Sequence, residues 1–226
     1  MIEIHNINKT YNNGQAALDG VTLKLETGEL AFLTGHSGAG KSTLLKLISL
    51  IERPSKGHVV VDKTNLTTLA SRRIPWHRRK IGMVFQNNLL LNDRNVAANV
   101  ALPLEIAGYR RDEINKRVRT ALNKVQLLKH DKKFPETLSS GEQQRVGIAR
   151  AIVGKPRVLL ADEPTGNLDP DLSRDIMALF NQFCQAGVTV LIASHDISLI
   201  NEMQHRIIQL EQGQLISDSG TSAFNG

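Results

Sequence analysis

Residues 35–42 constrain the fold of this chain more than any other segment. They read Gly-His-Ser-Gly-Ala-Gly-Lys-Ser and fit G-x-x-x-x-G-K-[ST], the pattern of a loop that wraps nucleotide phosphates. In such a loop the glycines let backbone N–H groups approach phosphate oxygens, the lysine reaches the β- and γ-phosphates, and the serine hydroxyl ligates Mg²⁺. The residues predicted to bind nucleotide here are Gly35, Ser37, Gly38, Ala39, Gly40, Lys41, Ser42 and Thr43.

The sequence on either side supports this interpretation. The apolar run 30–33 predicts a buried strand directly before the loop. Apolar residues repeat at helical spacing after it, at Leu44, Leu47, Ile48 and Ile51. We therefore predict a helix that ends before Pro54 and whose positive N-terminal end faces the phosphates. This strand–loop–helix order disfavours a glycine-rich turn that fits the pattern by chance.

Strand-like and helix-like segments alternate along the rest of the chain. Strands are predicted at 2–7, 21–25, 59–61, 81–85, 158–162 and 188–193, with a closing hairpin at 206–216. Within a helical stretch from about Asn87 to Lys155, one apolar stripe is formed by Ile114, Val118, Leu122 and Val125. Alternation around a phosphate loop predicts an α/β fold with a mostly parallel sheet, a smaller antiparallel sheet near the N-terminus and an inserted helical part.

We expect a single domain over residues 1–226. Its predicted parts are about 1–86, with the antiparallel strands and the phosphate loop, about 87–155, which is helical, and about 156–226, which completes the core.

Composition and charge limit the classes of binding partner and the cellular compartment. The formal net charge is +6, which suits an anionic partner such as a nucleotide, a nucleic acid or a membrane surface without choosing among them. Basic residues are concentrated in the segment 71–80. The single cysteine, Cys184, cannot form an internal disulfide, which favours a reducing compartment. No apolar run reaches the roughly 18 residues of a membrane span and no signal-peptide pattern is present, so we expect a cytoplasmic protein.

A second constellation lies at the end of an apolar strand. Residues 158–161 are apolar and are followed by Asp162 and Glu163. Such a strand can deliver Asp162 to the Mg²⁺ shell beside the phosphate loop, and Glu163 would then polarise an attacking water. Acidic residues that simply end a strand at solvent are common, and the pairing with the phosphate loop favours the catalytic interpretation.

Residues 138–145 carry a third motif, Leu-Ser-Ser-Gly-Glu-Gln-Gln-Arg. Together with the other two motifs, this segment resembles the LSGGQ signature of the ATP-binding-cassette (ABC) ATPases, in the motif order of that family and over nearly the whole chain. In the resemblance, Tyr11 matches the aromatic residue that stacks on adenine, Gln86 the Q-loop glutamine, Asp169 the end of the D-loop and His195 the switch histidine. A surface aromatic at position 11 and a plain strand-end polar residue at position 195 are the alternatives.

The resemblance implies a RecA-like core and a dimer that closes head to tail over two ATP molecules. Ser139 and Gly141 would contact the γ-phosphate held by the opposite chain, and Asp169 would join the nucleotide-binding set. The implied catalytic residues are Glu163, His195, Lys41 and Gln86, and the implied Mg²⁺ ligands are Ser42, Gln86 and Asp162, the last through water. Glu163 would activate water, while His195 would hold the γ-phosphate and the water in line.

Two positions depart from the pattern of the family. Ser140 stands where the signature usually has its first glycine, and we predict that it lowers the rate of the closed dimer. Leu50 stands where relatives usually carry glycine, which the sequence alone does not explain. Ser139 and Glu142 also form an S-x-x-E capping box, so a helix is predicted to begin at the signature and to end near Gly154.

Three segments, 31–48, 78–86 and 160–169, are similar to one bacterial subgroup, the cell-division cassettes. This similarity implies an integral membrane partner docking near Gln86–Arg94, other division proteins as further candidate partners, and a position on the inner face of the membrane at the septum. The alternatives are a lipoprotein-releasing or macrolide-export cassette and an ATP-dependent scaffold with little turnover. No specific nucleic-acid partner is expected, because the chain has neither a second cassette nor a long insertion.

Overall fold

The computed structural model describes residues 1–220, which form two β-sheets and seven α-helices. The strands are β1 (Ile2–Thr10), β2 (Ala16–Leu25), β3 (Leu30–Thr34), β4 (Lys56–Val61), β5 (Thr64–Asn65), β6 (Ile81–Val84), β7 (Val158–Asp162), β8 (Thr189–Ala193), β9 (Arg206–Glu211) and β10 (Gln214–Asp218). The helices are α1 (Lys41–Ile48), α2 (Ile74–Arg78), α3 (Val96–Ile106), α4 (Arg111–Lys124), α5 (Ser140–Ile152), α6 (Pro170–Gln185) and α7 (Ile197–Met203).

The larger sheet has six strands in the order β10-β9-β3-β8-β7-β6. Its neighbouring strands from β9 to β6 are parallel, and only β10 runs antiparallel, to β9. All residues of β3 and β8 are buried, as in a parallel sheet covered on both faces. The parallel core predicted from the sequence is therefore confirmed. The carboxyl ends of β3, β7 and β8 meet at one edge, which brings the segments that follow them together.

The smaller sheet has four antiparallel strands in the order β2-β1-β4-β5. Ile2 of β1 pairs with Leu25 on one side and with Val61 on the other, and all three side chains are buried. This confirms the predicted N-terminal antiparallel sheet. Its apolar face packs into one core with residues of α1 and of the larger sheet.

The helical part is confirmed from α3 to α5, where Val118, Leu122 and Val125 are buried as the predicted stripe requires. Helical structure does not begin at Asn87, however. Residues 85–95 form turns and irregular chain, and Asn88 and Leu89 have positive φ angles of 54° and 46°, which a right-handed helix does not allow. Asn95 caps the first turn of α3 by accepting a hydrogen bond from the Ala98 N–H at 2.9 Å.

The helix after the phosphate loop ends earlier than predicted, at Ile48. Leu50 has a φ angle of 57°, which turns the chain away, so Ile51 is 46% exposed and does not belong to the apolar face. A leucine in this backbone conformation costs about 1–2 kcal/mol, which explains why glycine fits the position. The Leu50 side chain is 3% exposed, and its burial offsets that cost. Two short helices, α2 and α7, were not predicted.

Candidate active site

A cavity of about 730 Å³ opens at the carboxyl edge of the parallel sheet. It brings together most of the residues that the sequence predicts for the site. These are Tyr11, Gly35, Ser37, Gly38, Ala39, Gly40, Lys41, Ser42, Thr43, Gln86, Glu163 and His195. Ala17, Ile207 and Gln209 also line the cavity and were missed, because only the folded chain places β2 and β9 beside the phosphate loop. No local sequence signal marks these three residues.

The phosphate loop is held by its own lysine and by the last two strands. Lys41 is 8% exposed, and its Nζ donates hydrogen bonds to the carbonyl oxygens of Gly35 at 2.6 Å and His36 at 3.2 Å. Gly35 has a φ angle of 142°, and a Cβ at this position would overlap the carbonyl oxygen of Leu210 in β9. Only glycine therefore permits this approach of β9 to the loop.

Asp162 ends β7 next to the loop. Its Oδ1 accepts a hydrogen bond from the Ser42 hydroxyl at 3.1 Å. Burial raises the pKa of Asp162, the neighbouring Glu163 carboxylate acts in the same direction, and the hydrogen bond from Ser42 opposes the shift. The pair thus offers a hydroxyl and a carboxylate oxygen in one place, which is the donor chemistry that Mg²⁺ prefers.

Glu163 lies between the loop lysine and His195. Its Oε1 is 3.9 Å from Lys41 Nζ, and its Oε2 is 2.9 Å from His195 Nδ1. The carboxylate is largely buried, whereas the His195 side chain is 70% exposed. Glu163 also has a φ angle of 48°, and its backbone N–H donates to the Ala193 carbonyl at 2.9 Å. The turn after β7 is thereby tied to the end of β8, and the carboxylate points to the loop.

Tyr11 and Gln86 close two sides of the cavity. The Tyr11 hydroxyl lies 3.2 Å from the Thr43 hydroxyl and donates to the Glu52 carboxylate at 3.2 Å, which fixes the ring at the cavity wall. Gln86 follows β6 by two residues and is exposed. An aromatic wall beside a phosphate loop is suited to stacking on a nucleobase.

The signature residues do not line this cavity. Ser139 and Glu142 form the predicted capping box of α5: the Ser139 N–H donates to Glu142 Oε2 at 2.8 Å, and the Glu142 N–H donates to the Ser139 hydroxyl oxygen at 3.3 Å. The Ser139 N–H lowers the pKa of Glu142. A Cβ on Gly141 would overlap Leu172 of α6, and Asp169 caps that helix by accepting from the Leu172 N–H at 3.0 Å. The signature and the D-loop therefore share a second surface.

Within residues 1–220, no three or more His, Cys, Asp or Glu residues are grouped so that they would hold a metal ion. None of the helices over the same residues has the length and apolar character needed to cross a membrane.

The chain is similar to known cassettes over nearly its whole length. It is 57% identical over 215 residues to the cell division ATP-binding protein FtsE of Escherichia coli K12, covering 95% of this chain and 97% of that protein. It is 43% identical over 224 residues to FtsE of Bacillus subtilis 168, covering 99% and 98%. A solved dimeric ATP-binding cassette in a post-hydrolysis state, bound to ADP and Pi, is 36% identical with a TM-score of 0.89, covering 97% of this chain and 98% of that one.

More than half of the chain also matches one protein family. Residues 18–166, well over half of the chain, match the ABC transporter family. With the phosphate loop, Glu163 and His195 at one sheet edge and relatives of this identity, the chain belongs to the ABC transporter family and is an ABC-type ATPase.

Proposed function

We propose that this ATPase is the nucleotide-binding subunit of a bacterial cell-division complex, in which it drives an integral membrane subunit of the FtsX type that regulates peptidoglycan hydrolysis at the septum. The observation that carries the proposal is the 57% identity to FtsE across 95% of the chain. The protein would lie on the inner face of the membrane at the division site. Its single domain would work as the three parts 1–86, 87–155 and 156–226, of which residues 221–226 lie outside the described structure.

In the proposed mechanism, the chain's own residues position ATP and water. Lys41 exchanges its two carbonyl partners for the β- and γ-phosphates, because phosphate oxygens are stronger acceptors than neutral carbonyls. Glu163 accepts a proton from the attacking water, and His195, 2.9 Å away, orients that carboxylate and the γ-phosphate. Ser42, Gln86 and Asp162 would hold Mg²⁺, whose charge offsets that of the phosphate oxygens.

We further propose that two chains close on ATP. Ser139, Gly141 and Asp169 lie outside the cavity of their own chain. Ser139 and Asp169 are exposed and thus accessible to a nucleotide held by a second copy, whereas Gly141 is buried beside them and would contribute through the backbone at the start of α5. The N-terminus of α5, at Ser139, is a favourable place for the negatively charged γ-phosphate. Loss of that phosphate on hydrolysis removes the bridge and opens the dimer, which converts the reaction into motion.

The Ser140→Gly variant tests the effect of the signature serine. Ser140 is exposed at the first position of α5, where its side chain would face the partner's nucleotide. We expect the variant to hydrolyse ATP about two- to five-fold faster, equivalent to roughly 0.4–1 kcal/mol in the barrier. Steady-state phosphate release measures the effect. A Ser140→Ala control keeps Cβ and removes only the hydroxyl, and an unchanged rate in Ser140→Gly contradicts the prediction.

The segment 86–94 is the proposed contact with the membrane subunit. Arg150 donates to the carbonyl oxygens of Asn88 and Leu89, and the Asn99 side chain pairs with both backbone groups of Leu91 at 2.8 and 3.0 Å. The backbone is thus fixed, while Leu89 and Leu91 are 58% and 37% exposed. Fixed backbone with exposed leucines suits a docking site for an apolar helix.

Replacing Leu89 and Leu91 by serine is expected to weaken capture of the membrane subunit at least ten-fold, because two apolar anchors of about 1–2 kcal/mol each are lost. Copurification of the membrane subunit from detergent-solubilised bacterial membranes measures this loss of capture. The matched control is Ile216→Ser, which changes an apolar side chain of β10 that is 53% exposed. Equal loss in the control and the double variant would contradict docking at this segment.

The function itself is tested by a pull-down from bacterial membranes with and without ATP, identified by mass spectrometry. Recovery of an FtsX-like membrane subunit supports the proposal. Recovery of a lipoprotein-release or export subunit assigns the chain to that class of transporter instead. Capture of division proteins without any membrane subunit, together with slow hydrolysis, would favour the scaffold, for which Ser140 is the one favouring residue.

A further inference from the structure

The basic segment 71–80 carries an exposed tryptophan that the ATPase site does not use. Trp76 of α2 is 65% exposed, and the guanidinium carbon of Arg79 lies 4.3 Å from the centre of its ring. Arg72 and Arg73 are exposed in the turn just before α2. These four residues, Arg72, Arg73, Trp76 and Arg79, are called the Arg/Trp patch below.

The patch is held outward by its neighbours. His77 is 5% exposed, and its Nε2 lies 3.2 Å from the Ile48 carbonyl oxygen at the end of α1. Arg78 donates to the Leu50 carbonyl at 2.9 Å. These two contacts anchor α2 on its inner side, so the exposed Trp76 ring cannot fold back onto the core without breaking them.

The charge of the patch is not compensated locally. The segment 71–80 contains five Arg or Lys residues and no Asp or Glu. Lys80 pairs with Asp62 at 2.8 Å, whereas Arg72, Arg73 and Arg79 make no ion pair within residues 1–220. Among residues 1–220 these three guanidinium groups therefore keep their charge unpaired, and they lie beside an exposed indole where an anionic surface can reach them.

We propose that the Arg/Trp patch binds the anionic headgroups of a phospholipid bilayer directly, in addition to any contact with a membrane protein. Tryptophan prefers the interface between water and lipid, and arginine is attracted to anionic leaflets. The patch also continues the proposed docking surface, because its Arg79 lines the same groove as Phe85, Pro103 and Arg150. Arg150 holds the segment 86–94, so both surfaces border one groove.

A nucleic acid suits the patch less well than a lipid surface. Binding to single strands relies on aromatic rings whose faces stack on successive bases. One face of Trp76 is already covered by Arg79, and no second exposed ring lies in the segment 71–80. At a bilayer the indole inserts among headgroups while the arginine keeps its charge in water, so the same pair serves both contacts.

The chain contains one tryptophan, so its fluorescence reports on Trp76 alone. The full chain is titrated with vesicles of phosphatidylcholine, with and without phosphatidylglycerol, at physiological ionic strength. We expect a blue shift and protection from iodide only with phosphatidylglycerol. Each basic residue near an anionic surface contributes roughly five-fold to partitioning. Replacing Arg72, Arg73 and Arg79 by glutamine should therefore weaken partitioning to the anionic vesicles about 100-fold.

The matched control neutralises Arg119, Lys124 and Lys132, three exposed basic residues outside the segment, and should weaken partitioning less than about ten-fold through net charge alone. The ATPase rate of both triple variants in solution should equal that of the parent, which shows that they fold. Equal loss in both variants, no response to phosphatidylglycerol, or a Trp76 response to an oligonucleotide but not to vesicles would overturn the proposal.

Discussion

The Glu163→Gln variant is expected to lose ATPase activity by a factor of about 10²–10⁴, the range that a positioned general base contributes. In the parent, His195 Nδ1 lies 2.9 Å from Glu163 Oε2. Glutamine keeps the shape of the side chain and can still hydrogen-bond to His195, but it does not accept a proton from water. The change also removes a negative charge 3.9 Å from Lys41 Nζ, so ATP should bind at least as tightly as to the parent. Single-turnover phosphate release measures the loss.

The same variant should accumulate as an ATP-bound dimer, because the step that opens the dimer is blocked. Size-exclusion chromatography with light scattering, with and without ATP, detects the doubling in mass. The control is Glu211→Gln, an exposed glutamate outside the cavity, which should retain parental turnover and remain monomeric under turnover. Parental turnover in Glu163→Gln would exclude Glu163 as the base, and the absence of an ATP-dependent change in mass would exclude the closed dimer.

The Gly35→Ala variant is expected to be the least stable single substitution in the phosphate loop. Its methyl group would overlap the Leu210 carbonyl oxygen, and alanine is strained at a φ angle of 142°. Overpacking and backbone strain together should lower the free energy of unfolding by roughly 2–5 kcal/mol. Urea denaturation followed by circular dichroism, in the absence of nucleotide, measures this difference.

Gly38→Ala is the matched comparison for that measurement. Gly38 has a similarly positive φ angle of 81°, but a Cβ there meets nothing within 4 Å. The free energy of unfolding of Gly38→Ala should therefore fall only by the cost of backbone strain, about 1–2 kcal/mol. If both variants lost the same free energy, the close approach of β9 to the loop would not contribute, and the strain would be purely local.

The phosphate loop and the catalytic residues after β7 and β8 could be predicted because each motif is short and directly follows a strand. Asp162 and Glu163 follow β7, and His195 follows β8, so a parallel sheet brings them to the phosphate loop whatever the details of packing. The capping box at Ser139 was predictable for a similar reason, since the hydrogen bonds join residues three apart. Local chemistry and sheet topology decide these positions.

Other features depend on contacts between distant segments. Ile207 and Gln209 line the cavity only because β9 pairs with β3. No local sequence pattern predicts this pairing. Ile51 continues an apolar period in the sequence, yet the left-handed backbone at Leu50 places it outside. The sequence predicts helical structure from about Asn87, whereas long-range hydrogen bonds from Arg150 to the carbonyl oxygens of Asn88 and Leu89 hold this segment in another conformation.

Because Gly35 packs against Leu210 of β9, the phosphate loop can reach its final structure only after β9 has been synthesised. The Gly213 N–H donates to the Ala39 carbonyl at 3.2 Å, so β9, β10 and their turn complete the wall of the phosphate loop. On a ribosome adding roughly 5–20 residues per second, these strands emerge on the order of ten seconds after the loop itself. We therefore expect a nascent chain to acquire its affinity for ATP only after β9 and β10 have emerged from the ribosome.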